Sequence, residues 1–115
     1  MNTTAPIHGV IAILRGVTPD EVVALGHALC DAGVTTLEVP LNSPQPFESL
    51  RRLHQALGGR ARLGAGTVMS PDDVDHAAEA GATLMLSPHF DAAVVRRTVA
   101  RGLCSMPGVA TPSEG

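Results

Sequence analysis

Four short stretches of this sequence place polar, chemistry-bearing residues directly after apolar runs. They are Leu14-Arg15-Gly16, Leu37-Glu38-Val39-Pro40, Gly64-Ala65-Gly66-Thr67 and Leu86-Ser87-Pro88-His89. Glu38 stands among Leu37, Val39 and Leu41. There desolvation raises a carboxyl's pKa toward the range useful for proton transfer. The alternative is a carboxylate satisfied by Arg15 or by backbone N–H groups. Arg15 has two readings of its own: a two-pronged grip on a substrate carboxylate or phosphate, or a salt bridge to Glu38. Gly64-x-Gly66 followed by Thr67 lets backbone approach a ligand and offers a hydroxyl. The same glycines equally make a tight strand-to-helix turn, and they lack the longer run of a dinucleotide site.

The remaining candidates are weaker. No two of His8, His27, His54, His76 and His89 have the i, i+4 spacing of a helical zinc site. His27, His54 and His76 fall in helical patterns as surface or partly buried side chains, His8 precedes the first strand, and only His89 lies near the four turns. Arg51-Arg52 and Arg96-Arg97 with Arg101 read as solvated helix faces. Met69, Met85 and Met106 read as fillers of core gaps. Cys30 and Cys104 have no metal-ligand spacing and read as two buried, reduced thiols of a cytoplasmic protein.

Composition excludes further classes. The 115 residues include no Lys, no Trp and no Tyr. They therefore supply neither a P-loop lysine nor a Schiff-base amine, and no aromatic platform for single-stranded nucleic acid. A net charge of -3 provides no footprint for nucleic acid or an anionic membrane. No apolar run approaches the roughly 20 residues of a membrane span, and the first six residues lack the regions of a signal peptide. With 44% hydrophobic residues the chain is too apolar for a disordered tail.

The elements that must position the four turns follow one repeated phrase. Residues 10–14 form a continuous apolar run, as expected of a strand covered on both faces. Thr18-Pro19-Asp20-Glu21 then opens a helix, with Thr18 as cap, Pro19 at the first helical position and Glu21 completing a capping box. Val22, Leu25, Gly26 and Leu29 follow at helical spacing, small Gly26 permitting close approach to a sheet, and Gly33 ends the helix. Further helices are predicted over 46–57, from Ser70 to Gly81, and over 91–101, with strands over 36–39, 61–65, 84–86 and 103–106. Five strands alternating with four helices require a parallel sheet with right-handed crossovers. That sheet is either a doubly wound domain or part of a (β/α)₈ barrel. Thr111-Pro112-Ser113-Glu114 repeats the helix-start phrase just before the sequence stops, which favours the N-terminal part of a single barrel spanning all of 1–115.

Five motifs in order resemble the KDPG/KHG aldolase family: Ile11-Ala12-Ile13-Leu14-Arg15-Gly16, then Glu38-Val39-Pro40-Leu41-Asn42-Ser43-Pro44, then Gly64-Ala65-Gly66-Thr67-Val68, Ser87-Pro88, and Met106 through Pro112. The Glu38 to Pro44 stretch looks most like the branch acting on 2-dehydro-3-deoxy-6-phosphogalactonate. The gluconate branch commonly carries Arg where this chain has Asn42, and Arg15 would take over its role facing the carboxylate. The resemblance implies a truncated (β/α)₈ barrel, a homotrimer when complete, and class I aldolase chemistry needing no cofactor or metal. A lysine amine forms an iminium with the keto-deoxy sugar acid phosphate, and pyruvate and glyceraldehyde 3-phosphate result. Glu38 matches the carboxylate that shuttles protons, while Arg15 and Thr67 match substrate-binding positions. The family's lysine lies on a sixth strand, beyond these residues, so the chain as given is expected to be inactive. Alternatives are a gluconate-type or KHG aldolase, another barrel enzyme handling a phosphorylated sugar, or a non-catalytic half-barrel that self-associates.

Overall fold

The computed structural model describes residues 11–88 and 90–106. His8, Val10, His89, the motif residues after Met106 and the Thr111 helix start lie outside the described residues. Five strands alternate with four α-helices: β1 (Ile11–Ile13), α1 (Pro19–Asp31), β2 (Thr36–Pro40), α2 (Pro46–Leu57), β3 (Arg62–Gly66), α3 (Pro71–Glu79), β4 (Leu84–Leu86), α4 (Ala92–Ala100) and β5 (Cys104–Met106). A 3₁₀ turn, Gly58–Arg60, follows α2. Every strand pair is parallel, and the spatial order is β1-β2-β3-β4-β5.

That order decides between the two architectures. A doubly wound sheet reverses its strand order at a switch point, whereas a barrel adds each strand beside the last. Here the order never reverses. Helix packing agrees, since α1 packs on α2, α2 on α3 and α3 on α4, forming one layer over one face of the sheet.

Alternation along the strands sorts side chains between that layer and the opposite face. Leu37, Val39, Leu63, Ala65 and Met85 join Val22, Leu50, Leu53, Val74 and Val94 in the helix-facing core. Ile13, Glu38, Gly64, Gly66, Leu84 and Leu86 occupy the other strand positions. Leu84 and Leu86 are buried there without belonging to the helix-side cluster.

Local signals set the boundaries. Pro19, Pro46 and Pro71 each stand in the first turn of a helix, where a missing N–H leaves no bond unmade. The Glu21 carboxylate accepts from both the N–H and the hydroxyl of Thr18 at 3.0 Å. Ser70 Oγ accepts from Asp73 N–H, and Asp91 caps α4 by accepting from Ala93 and Val94 N–H. The 91–101 expectation thus counts Asp91 and Arg101 as helix when they are its caps.

Four expectations need correction. β1 is not covered on both faces, since Ile13 is 50% exposed. Met69 is exposed rather than a core filler, because it sits in the loop after β3. Cys104 is exposed on the last described strand, whereas Cys30, on α1, is buried. Gly26 admits a helix more than the sheet. A Cβ there would stand 2.7 Å from Leu53 Cδ2 and 3.0 Å from Leu57 Cδ1 on α2, but 3.7 Å from Leu37 on β2. Gly26→Ala is therefore expected to destabilise the fold by about 1–3 kcal/mol through overpacking, despite a helix-propensity gain of ~1 kcal/mol. Chemical denaturation measures it; an alanine variant as stable as the parent would show that the α1–α2 contact yields freely.

Among the described residues, the arginine-rich helix faces are internally paired except at exposed Arg96. Arg51 and Arg52 both hold Glu48, and Arg52 also reaches Asp20 at 3.2 Å. Arg97 and Arg101 clamp Asp75, tying α4 to α3. Such exposed pairs contribute little individually, but they occupy four of the five guanidinium groups that a polyanion would need.

Candidate active site

The C-terminal ends of the strands converge on a cleft of about 230 Å³. Its lining includes Arg15, Glu38, Asn42, Thr67 and Ser87, with Ile13, Pro40, Leu86 and Pro88 supplying apolar wall. All three residues singled out in the sequence, Glu38, Arg15 and Thr67, are thus brought together. Hydrogen bonds carry the sheet register past the strand ends and set this arrangement: Leu14 N–H donates to Glu38 O at 2.8 Å, Leu41 N–H to Gly66 O at 2.9 Å, and Val68 N–H to Leu86 O at 3.0 Å.

Glu38 is only 5% exposed, and its Oε2 is buried without a hydrogen-bond partner among the described residues. Leu37 and Val39 turn toward the helices, so strand alternation sends Glu38 to the opposite face. Burial pushes its carboxyl up from 4.5 to about 7, against the opposing pull of the Arg15 guanidinium. Desolvation wins because the cation acts from a distance. Arg15 is exposed and makes no ion pair within 4 Å among the described residues. Of the two alternatives for Glu38, a structural salt bridge to Arg15 is not the one formed.

The Gly64-x-Gly66 pattern has a different meaning from either sequence reading. Both glycines lie within β3, not in a turn beyond it. A Cβ at Gly64 would press on Leu84, and one at Gly66 would overlap the Glu38 carboxylate itself. Gly66 is the seat of the carboxylate. Strand alternation and parallel register, applied to Glu38 and Gly66 together, contain this signal; reading the glycines as an isolated motif conceals it.

Thr67 follows with φ 57°, in the left-handed region that β-branched residues seldom occupy. It is the first residue after β3 and lines the cleft. Ser87, given no role of its own in the sequence, is buried beside the cleft with an unpartnered hydroxyl. The described histidines stay out of the cleft: His54 and His76 are exposed on helices, His76 stacking edge-on against Phe47 at 5.5 Å, and His27 is half-buried on α1. Among the described residues, no group of three or more His, Cys, Asp or Glu side chains is arranged to hold a metal ion. No helix among them is long and apolar enough to cross a membrane.

Comparison with known proteins gives this cleft its setting. The model of the KDPG and KHG aldolase family matches residues 2–114. The chain belongs to this family. Over 104 residues it is 46% identical to the 2-dehydro-3-deoxy-6-phosphogalactonate aldolase of Escherichia coli K12, which covers 90% of this chain and 51% of that protein. Identity to the probable 2-dehydro-3-deoxy-6-phosphogalactonate aldolase of Rhizobium meliloti is 42%, covering 90% and 49%. The 2-dehydro-3-deoxy-phosphogluconate aldolase of Zymomonas mobilis is 33% identical over 90 residues, which cover 78% of this chain and 42% of that protein. The chain thus spans about half the length of the curated relatives it matches. A solved structure described as native KDPGal superposes with a TM-score of 0.84 at 44% identity, covering 99% of this chain and 54% of the other. As a KDPG and KHG aldolase family member, the chain has the five-stranded parallel α/β architecture of that fold, a sector of its barrel.

Proposed function

We propose that this chain is the N-terminal part of a class I aldolase barrel that cleaves 2-dehydro-3-deoxy-6-phosphogalactonate to pyruvate and D-glyceraldehyde 3-phosphate. One observation carries the reading: a buried, unpartnered carboxylate with its pKa near 7, seated over Gly66 at the mouth of the sheet. A carboxyl poised near neutrality can both accept and return a proton. In aldol cleavage, a lysine outside these residues forms an iminium with the C2 ketone. Glu38 takes the C4 hydroxyl proton as the C3–C4 bond breaks, then returns a proton to C3 of the resulting enamine before hydrolysis frees pyruvate.

Arg15, unpaired and exposed at the cleft rim, holds the substrate carboxylate, and Thr67 offers its hydroxyl to the substrate. Preference for the galacto-configured acid over its gluco epimer rests on Asn42 at the rim and on the higher identity to the two phosphogalactonate aldolases. We place the complete enzyme in the cytoplasm as a homotrimer.

The full-length protein is expected to release pyruvate from the galacto substrate with higher kcat/KM than from its gluco epimer. Borohydride should trap a covalent adduct at a lysine. The 115-residue chain, with no lysine, should trap none. No pyruvate from either epimer would sink the aldolase reading, and an adduct on the short chain would sink its inactivity. A second reading, a non-catalytic half-barrel associating through its sheet edge, draws on half-exposed Ile13 of β1. Sedimentation of the short chain as a folded monomer would count against it.

A further inference from the structure

Two β-turns form the rim of the cleft where Arg15 and Asn42 stand. In the first, Val17 N–H donates to Leu14 O at 3.2 Å, with Arg15 and Gly16 at the corners. Gly16 has φ 73° while Arg15 is not in the left-handed region, the signature of a type II turn with glycine at its third position. In the second, Ser43 N–H donates to Pro40 O at 3.0 Å, with Leu41 and Asn42 at the corners. Each turn thus presents one polar side chain to the cleft from a corner.

A turn of this kind leaves its central N–H without an internal partner. For the first turn that group is the N–H of Gly16, and it donates to Ser43 Oγ at 3.3 Å. Ser43 is buried, 5% exposed, and does not line the cleft. Its backbone is fixed by its bond to Pro40 O. The need for such a brace follows from the sheet: β1 has a strand partner on one side only among the described residues, and its three residues end just before the Arg15 turn.

We propose that Ser43 is a positioning residue for Arg15, its hydroxyl locking the Arg15–Gly16 peptide and so fixing the guanidinium over the cleft. This rests on the reading of Arg15 as the carboxylate-binding group. Ser43 touches no substrate; it holds the turn that does. The absence of any ion pair on Arg15 among the described residues makes backbone bracing the more important, since no acidic side chain anchors its head.

Steady-state kinetics of the full-length protein on the keto-deoxy sugar acid phosphate test this. Ser43→Ala should raise KM about fivefold, the scale of one lost hydrogen bond, with kcat changed less than about twofold. Ser43→Thr, which keeps the acceptor, should restore KM, and Ser43→Cys, a weak acceptor of similar shape, should behave like alanine. In an Arg15→Ala background the Ser43→Ala change should add nothing to KM, because two residues acting through one contact are not additive. An unchanged KM in Ser43→Ala while Arg15→Ala raises it overturns the bracing role alone. An unchanged KM in Arg15→Ala overturns the carboxylate-binding reading and the bracing role with it. A Ser43→Ala effect that persists at full size without Arg15 also overturns the proposal.

Discussion

Glu38→Gln is expected to lower kcat of the full-length protein by about 10²–10⁴-fold, the range supplied by a positioned general acid–base group. The same change should make the folded protein more stable at alkaline pH. Both effects have one origin. The Glu38 carboxyl titrates near 7 in the fold and at 4.5 when unfolded, because burial disfavours its charged form more than Arg15 favours it. Between those values the native state holds a proton that the unfolded state has released, so stability falls as pH rises through this window. The burden is absent below pH 4.5 and complete above about 7. Its full size is on the order of 3 kcal/mol. Glutamine keeps the shape and cannot ionise, although burying its amide beside few partners offsets part of the gain. Chemical unfolding at pH 5 and pH 8 should therefore show the Gln variant gaining on the parent as pH rises. A stability difference that is flat across this window would mean that Glu38 titrates like a surface carboxylate. A variant with parental kcat would remove Glu38 from proton transfer.

Much of this arrangement is legible in the chain itself, for reasons that differ by residue. Helix starts are local: Glu21 accepts the Thr18 N–H, while Ser70 and Asp91 accept N–H groups, all within three residues, so the sequence around them contains the whole cause. The parallel sheet follows from alternation, which leaves few topologies. Strand order is not local. Doubly wound and barrel sheets share the same units, and only the pairing of β1 through β5 in sequence separates them. Exposure is also non-local. Ile13 and Met69 are as apolar as any core residue, yet Ile13 lies on an edge strand and Met69 in a loop. For the cleft, residue type flagged Glu38, Arg15 and Thr67, since a carboxylate in an apolar strand and an arginine after one are conspicuous. Ser43 and the true partner of Gly66 were hidden because each acts across strands, Ser43 on a turn 27 positions away.

Gly66→Ala should be the most damaging change available without touching a chemically active group. Gly66 has no left-handed φ, so alanine meets no backbone objection; the nearest conflict is with the Glu38 carboxylate, which the new methyl would overlap. The carboxylate is the far end of a flexible side chain, so it swings aside and the fold survives, at a loss of about 1–3 kcal/mol. Activity has no such latitude. A displacement near 1 Å in a reacting group costs about 10²-fold, and kcat should fall by at least that much. A displaced carboxylate would also regain water, so the pH-dependent loss of stability between 4.5 and about 7 should weaken in this variant. Gly64→Ala is the matched control two residues earlier on β3. Its Cβ would stand 3.3 Å from Leu84 Cδ2 and from Leu84 O, and its three nearest contacts are all Leu84 atoms rather than the Glu38 carboxylate. It should reduce stability with kcat retained to within about threefold, a small fraction of the loss from a misplaced group. Equal loss of kcat in both variants would mean that β3 transmits general strain, whereas loss confined to position 66 identifies the bare glycine as the space in which the carboxylate works.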